Sequence, residues 1–388
     1  MTRIAHPLIV LQTTPFCNID CSYCYLPDRA NRRRMSMETL ECIAETVFAS
    51  PRWSGTFTFL WHLGEPLTVP VHYYEEAFER IAATAKRHGR SYAHSFQTNA
   101  TLIDVHWIEF FRRHRARIGV SLDGPARFHD AYRRTRSGAG THAGTMAGIA
   151  LLQEAGLTFG AICVLTSHSL GHADEFFDFF MHHRIGELAF NIDEIEGEHR
   201  VSSVGPAGER QRYACFLGRF IERIGEHRGA IHLRELWRHL PMILHGASPY
   251  NLANEPLRIL TFDCDGNYST FCPELRAARS QRYGDFVMGN IHRDDLAAIE
   301  RNRIFELVRG EVEAGLAACR HSCTYWPLCG GGEPSSKYFE HGRFDVTETL
   351  SCRVHKQAAV DAILGYLESA TSTGAPDWIE RYATDGRP

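Results

Sequence analysis

No stretch of the 388-residue sequence approaches the roughly 18 consecutive apolar residues of a membrane-spanning helix. The first apolar run, Pro7–Gln12, is too short for a signal-peptide core with its cleavage site. A cytoplasmic chain that does not enter a membrane is therefore expected. A basic excess is also lacking: 42 Lys and Arg stand against 46 Asp and Glu, a formal charge of −4. Nucleic-acid binding leaves a basic footprint, so that class is not expected. Among 22 histidines no HxH or HExxH pair occurs, and most read as surface or structural residues. The hydrophobic share, 44%, is ordinary for a soluble globular protein. The length allows one large barrel and a smaller domain.

What the sequence does have is cysteine, 12 in all. In a cytoplasmic chain these read as metal ligands rather than disulfides. Cys17-Asn-Ile-Asp-Cys21-Ser-Tyr-Cys24 is spaced CxxxCxxC and runs on into Tyr25-Leu-Pro27. A 4Fe–4S cluster normally takes four thiolates. Three leave one iron open, and an open metal position is where a substrate or cofactor binds. The alternative is a partial zinc knuckle with its fourth ligand elsewhere. The spacing, the aromatic Tyr23 and the preceding apolar run argue for the cluster.

Strands alternate with helices along the first 200 residues, which argues for an α/β fold with a parallel sheet. Leu8–Thr13, Thr56–Trp61, Ala93–Asn99, a run opening at Ile118, Thr158–Thr166 and Glu187–Glu194 read as strands. Ser36 caps a first helix that buries Ile43, Val47 and Phe48. Polar residues recur at strand ends: Gly64-Glu65-Pro66, Thr98-Asn99, Ser121-Leu-Asp123 and Asp193-Glu194. One such end is an ordinary turn; successive ones describe a barrel mouth. Arg134–Gly144 reads as a lid or a solvated loop. Residues 1–200 form the expected barrel, 201–255 a helical linker region opening with Val201–Gly208, and 256–388 a second unit ending in a helix.

That unit holds further cysteines. Leu260–Phe271, interrupted by Asp265-Gly-Asn267, is a hairpin signal with Cys264 and Cys272 beside it. Cys319, Cys323, Cys329 and Cys352 can supply four thiolates to a second 4Fe–4S cluster. A four-cysteine zinc site is the alternative.

CxxxCxxC resembles the signature of the radical S-adenosylmethionine (SAM) superfamily. The resemblance implies a partial (β/α)6 barrel, with SAM on the open iron of a cluster held by Cys17, Cys21 and Cys24. Gly64, Glu65 and Pro66 match the superfamily's Gly-Gly-Glu-Pro motif, with Leu63 in place of the first glycine. Tyr23, Thr98, Asn99, Ser121 and Asp123 are the further implied cofactor contacts. The C-terminal region resembles the SPASM auxiliary-cluster module of peptide maturases. One cysteine of its usual seven is replaced in the stretch holding Glu333, and Cys264 and Cys272 are too few for another full cluster. At least one auxiliary cluster, on Cys319, Cys323, Cys329 and Cys352, is expected.

Leu11–Cys17, Gln97-Thr-Asn99, Phe190–Glu194, Phe271–Leu275, Cys329–Gly332 and Lys337–Glu340 resemble the GRRM-type, cyclophane-forming branch. That implies a ribosomally made precursor peptide as substrate, its leader bound by this chain or a separate partner, and an external flavodoxin- or ferredoxin-type electron donor. The implied product joins an aromatic ring carbon to the β-carbon of a nearby residue. Asp193, Glu194 and Glu274 are candidate bases for it, and the sequence does not rank them. The alternatives are an anaerobic sulfatase-maturing type enzyme, which makes formylglycine, and an iron–sulfur sensor or electron carrier.

Overall fold

Leu8–Leu11 (β1) is a short apolar run with Ile9, Val10 and Leu11 fully buried. Strands covered on both faces read this way. Around β1 the chain builds one ten-stranded sheet in the computed structural model, which describes residues 3–205, 208–371 and 377–384. Thr56–Trp61 (β2), Ser91–Thr98 (β3), Arg117–Ser121 (β4), Gly160–Leu165 (β5) and Glu187–Ile192 (β6) follow in spatial order, each parallel to the last.

The parallel run extends beyond these six. His232–Leu233 (β7) adds to β6, and Ile259–Phe262 (β8) pairs parallel to β1, with Ile259 opposite Leu8. Asn267–Thr270 (β9) returns antiparallel as the expected hairpin, and Gly289–Asn290 (β10) follows it. The order is β10-β9-β8-β1-β2-β3-β4-β5-β6-β7, an α/β fold on a mixed sheet. Strands this short leave no alternation for a sequence pattern to reveal.

Met37–Ala49 (α1), Val71–His88 (α2), Val105–His114 (α3), Ala126–Tyr132 (α4), His142–Glu154 (α5) and Ala173–His182 (α6) connect the strands. Ser36 Oγ accepts from Thr39 N at 3.0 Å and starts α1, as the spacing predicts. α3 is an addition to the sequence expectation; Asp104 caps it through His106 N and Trp107 N, both at 3.0 Å. Trp61, Tyr74, Phe78, Phe96 and Phe110 meet in one aromatic cluster between β2, β3, α2 and α3. Burying each such ring contributes about 1.5–3 kcal/mol. That packing fixes the two strands whose ends carry Glu65 and Asn99.

Glu209–Glu226 (α7) and Arg234–His245 (α8) occupy the expected helical segment. Arg303–Ser322 (α9), capped by Asn302, Pro334–His341 (α10), Ala358–Thr371 (α11) and Asp377–Thr384 (α12) follow. Residues 206 and 207 of the Val201–Gly208 linker, and 372–376 and 385–388 of the C-terminal unit, lie outside the described residues. Among the described residues no helix is long and apolar enough to cross a membrane.

Candidate active site

Beyond β1 the chain turns into the cysteine loop, which residues 132–136 brace. Ser22 N donates to Tyr132 O at 3.0 Å, Asp20 N to Arg134 O at 2.6 Å, and Arg136 Nε to Cys17 O at 3.0 Å. The start of the Arg134–Gly144 loop is therefore tied to the cysteines. Cys17, Cys21 and Cys24 line one side of a cavity of about 490 Å³. Burial, then Glu65, pushes the Cys17 thiol up to about 12. Burial pushes Cys21 up to about 11 although Arg133 opposes it.

The turn after β2 lies under this loop. Gly64 has φ +117, and a Cβ there would stand 2.3 Å from Thr14 O, so no side chain fits. Leu63, where the superfamily motif has glycine, keeps the left-handed conformation at φ 67. The turn survives the substitution at a cost in backbone strain. Glu65, 2% exposed, accepts from Thr98 Oγ1 at 2.7 Å, Asn99 N at 2.8 Å and Leu67 N at 3.0 Å. Burial outweighs these donors and raises its carboxyl to about 7. Asn99 Nδ2 bonds Asn18 Oδ1 at 2.9 Å and approaches Cys17 Sγ at 3.9 Å, tying the end of β3 to the cysteine loop.

Ser121 Oγ accepts from Gln97 Nε2 at 2.9 Å at the cavity wall. Asp123 is buried behind it, holding Arg133 Nε at 2.8 Å, Val164 N at 2.9 Å and the Tyr23 hydroxyl. Of the expected cofactor contacts, Tyr23, Gly64, Glu65, Thr98, Asn99 and Ser121 line the cavity; Pro66 and Asp123 do not. Arg133 is the residue the sequence reading missed here. It is 7% exposed, lines the cavity, and reaches within 4.0 Å of Cys21 Sγ. Nothing in its sequence neighbourhood marks a buried arginine.

The facing wall is acidic. Asp193, Glu194 and Glu274 all line it, joined by Glu196 and Glu333. Asp193 is engaged by His199 Nε2 at 2.7 Å and Ser203 N at 2.7 Å. Glu194 accepts from Ser336 Oγ at 3.0 Å and faces His355 Nδ1 at 3.7 Å; burial raises its carboxyl, but His355, then Lys356 and Ser351, bring it below the usual value. Glu333 pairs with Lys356 at 3.2 Å. Glu274 and Glu196 form no ion pair among the described residues, and burial with mutual repulsion raises Glu196 well above the usual carboxylate range.

The hairpin separates the two remaining candidate ligands. Cys264 sits in its connection beside Asp263 and Asp265, while Cys272 follows the far end of β9 and opens into the cavity. Cys319, Cys323, Cys329 and Cys352 gather behind the acidic wall. Burial, then Cys329, Cys323 and Cys319, pushes the Cys352 thiol up to about 12. Cys329 in turn feels Lys356, Glu333 and Arg238 of the wall. Cys319 lies in the last turn of α9, a helix absent from the sequence expectation.

Among the described residues, no three His, Cys, Asp or Glu converge on a point that a single metal ion could occupy. A four-iron cube takes each thiolate at its own corner, so its ligands ring a space instead. Two buried cavity atoms, His62 Nδ1 and Tyr25 Oη, have no hydrogen-bond partner among the described residues. Orphaned polar atoms beside three thiols fit a polar cofactor in that space.

Comparison with known proteins agrees with this geometry. The profile of the radical SAM superfamily matches residues 11–180. An uncharacterized protein of Synechocystis sp. is 38% identical over 367 residues, covering 94% of this chain and 92% of that one. The serine-type anaerobic sulfatase-maturating enzyme of Bacteroides thetaiotaomicron is 35% identical over 184 residues, 45% of this chain and 44% of the enzyme, so that match spans under half of either. Two solved structures share the fold. Native anSMEcpe with bound AdoMet and Cp18Cys peptide has a TM-score of 0.76 at 20% identity, over 95% of this chain and 99% of that one. SuiB of Streptococcus suis bound to precursor peptide SuiA has 0.62 at 14%, over 90% and 76%. With its cysteine loop, its Gly-Glu-Pro turn and a relative matched nearly end to end, the chain belongs to the radical SAM superfamily.

Proposed function

We propose that this protein modifies a ribosomally made precursor peptide, forming a bond between an aromatic ring carbon and the β-carbon of a nearby residue. Cys17, Cys21 and Cys24 would hold the 4Fe–4S cluster, with SAM in the cavity beside it. When bound, these groups supply hydrogen-atom abstraction; the remaining tasks fall to the chain. Asn99 and Gly64 fix the cysteine loop to the strand ends. Arg133, held by Asp123, places a cation at Cys21. Cys319, Cys323, Cys329 and Cys352 would form the auxiliary site of a SPASM-type unit over residues 256–388, supplying a one-electron acceptor. Ring crosslinking removes one electron and one proton in its last stage. Glu274 is the favoured proton acceptor of the three candidates: it faces the cavity without a counter-ion, and burial raises it to about 7. A base poised near the working pH is the efficient one. Asp193 and Glu194 are already engaged.

The observation that carries the reading is the cysteine arrangement. Cys319, Cys323, Cys329 and Cys352 gather behind the cavity wall, which supports one auxiliary site, while Cys264 and Cys272 lie at opposite ends of the hairpin. The peptides bound by anSMEcpe and SuiB support a peptide substrate. An external one-electron donor, in the cytoplasm, completes the proposal.

The sulfatase-maturating match supports a second reading, oxidation of Cys or Ser to formylglycine. One experiment separates the two. The chain, reconstituted anaerobically, is given SAM, reductant and a short test peptide that carries an aromatic residue together with Ser and Cys. The expected product lacks a pair of hydrogens, keeps a linked fragment through protease digestion, and is inert to hydrazine. A hydrazone-forming product with no linked fragment would establish the second reading instead.

A further inference from the structure

Lysine is almost never fully buried unless paired. Lys337, on α10, is 2% exposed and forms no ion pair with a carboxylate among the described residues. Its Nζ stands 4.0 Å from Cys319 Sγ. Burial pulls its ammonium below the ordinary value, and Cys319, Cys352 and Cys329 are the strongest influences that oppose this; the fourth, Asp345, is occupied by Arg343. The slot it fills is built for it. Gly315 precedes Cys319 by one turn of α9, and a Cβ there would come within 3.0 Å of the Lys337 Nζ and 2.4 Å of Phe344 O. At Gly332 a Cβ would meet the lysine stem at 3.8 Å. A buried ammonium aimed at sulfur alone is costly in a chain without a cluster and matched in one that has it.

We propose that Lys337 is the counter-charge of the auxiliary cluster and holds its reduction potential up through Cys319. The inference rests on the auxiliary-cluster reading above. Reduction adds one negative charge to the cluster, and a fixed cation at a ligand sulfur in dry surroundings favours the reduced form. The auxiliary site thereby becomes a stronger acceptor for the electron leaving the substrate ring. Lys337 touches no reacting atom, so it is a positioning residue.

The test uses the full chain with Cys17, Cys21 and Cys24 replaced by Ala, so that any iron reports the auxiliary site. That parent should hold about four irons. In the same background Lys337→Met, and Lys337→Gln with an N–H donor but no charge, should keep this iron. In a dithionite titration followed by electron paramagnetic resonance, both should show about a tenfold lower reduced-to-oxidised ratio at a fixed potential. That is a midpoint lowered by about 59 mV for one electron. Full iron with an unmoved midpoint in both variants overturns the inference and leaves the cluster reading standing. Loss of iron from both variants while the parent retains it also overturns it, since the lysine would then serve assembly. A parent without iron removes the cluster reading, and this inference with it.

Discussion

At the scale of single residues, Glu65 carries the most consequence. The Gly-Glu-Pro turn that contains it is legible in the sequence; its burial is not, because nothing local says that three backbone and side-chain donors will enclose it. Its ordinary value is 4.5, and burial lifts it to about 7 in the folded chain. Between those values the folded chain holds a proton that the unfolded chain has released. Stability therefore falls as pH rises through this window, and the loss is complete above about 7, on the order of 3 kcal/mol at most. Glu274 adds to the same slope. Glu65→Gln should flatten the slope of melting temperature against pH between 5 and 7, window edges taken as about these values. It should also lower stability at pH about 5 by about 1–3 kcal/mol, because its amide nitrogen must face a donor. Thermal melts of the iron-free chain across that range check both. An unchanged slope would show that Glu65 titrates normally. Lys337 and Arg133 were beyond sequence reasoning for the same physical reason: a buried cation looks like any surface one until its neighbours are known.

At the scale of elements, the hairpin at Ile259–Thr270 does more than carry cysteines. β8 closes the edge of β1 over Leu8–Leu11, so the C-terminal unit supplies part of the barrel sheet. The hairpin itself is readable from Asp265-Gly-Asn267; its partner is not, since pairing between distant strands leaves no local pattern. α9, capped by Asn302, is an element that the sequence expectation did not include. An exposed, apolar strand edge is a template for aggregation. A chain truncated after residue 255 should therefore form aggregates, seen as void-volume material on size exclusion. A monomeric, folded fragment would show that β8 is dispensable to the barrel.

At the scale of the molecule, cofactor load is the first measurement. Anaerobic reconstitution should give about eight irons per chain, from two four-iron cubes. Cys264→Ala should leave that number unchanged, because Cys264 lies in the hairpin connection away from the cavity. About twelve irons would mean a third cluster and a different role for Cys272. The order in which the sheet is sewn also sets a clock. β1 leaves the ribosome long before its partner, and Ile259–Phe262 must be made before its open side is covered. At about 5–20 residues per second, the roughly 250 intervening residues take about 12–50 seconds. During that interval the cysteine loop hangs from a strand bonded on one side only. Its thiols are within reach of oxidants and stray metals throughout, until the late strand pairs with β1.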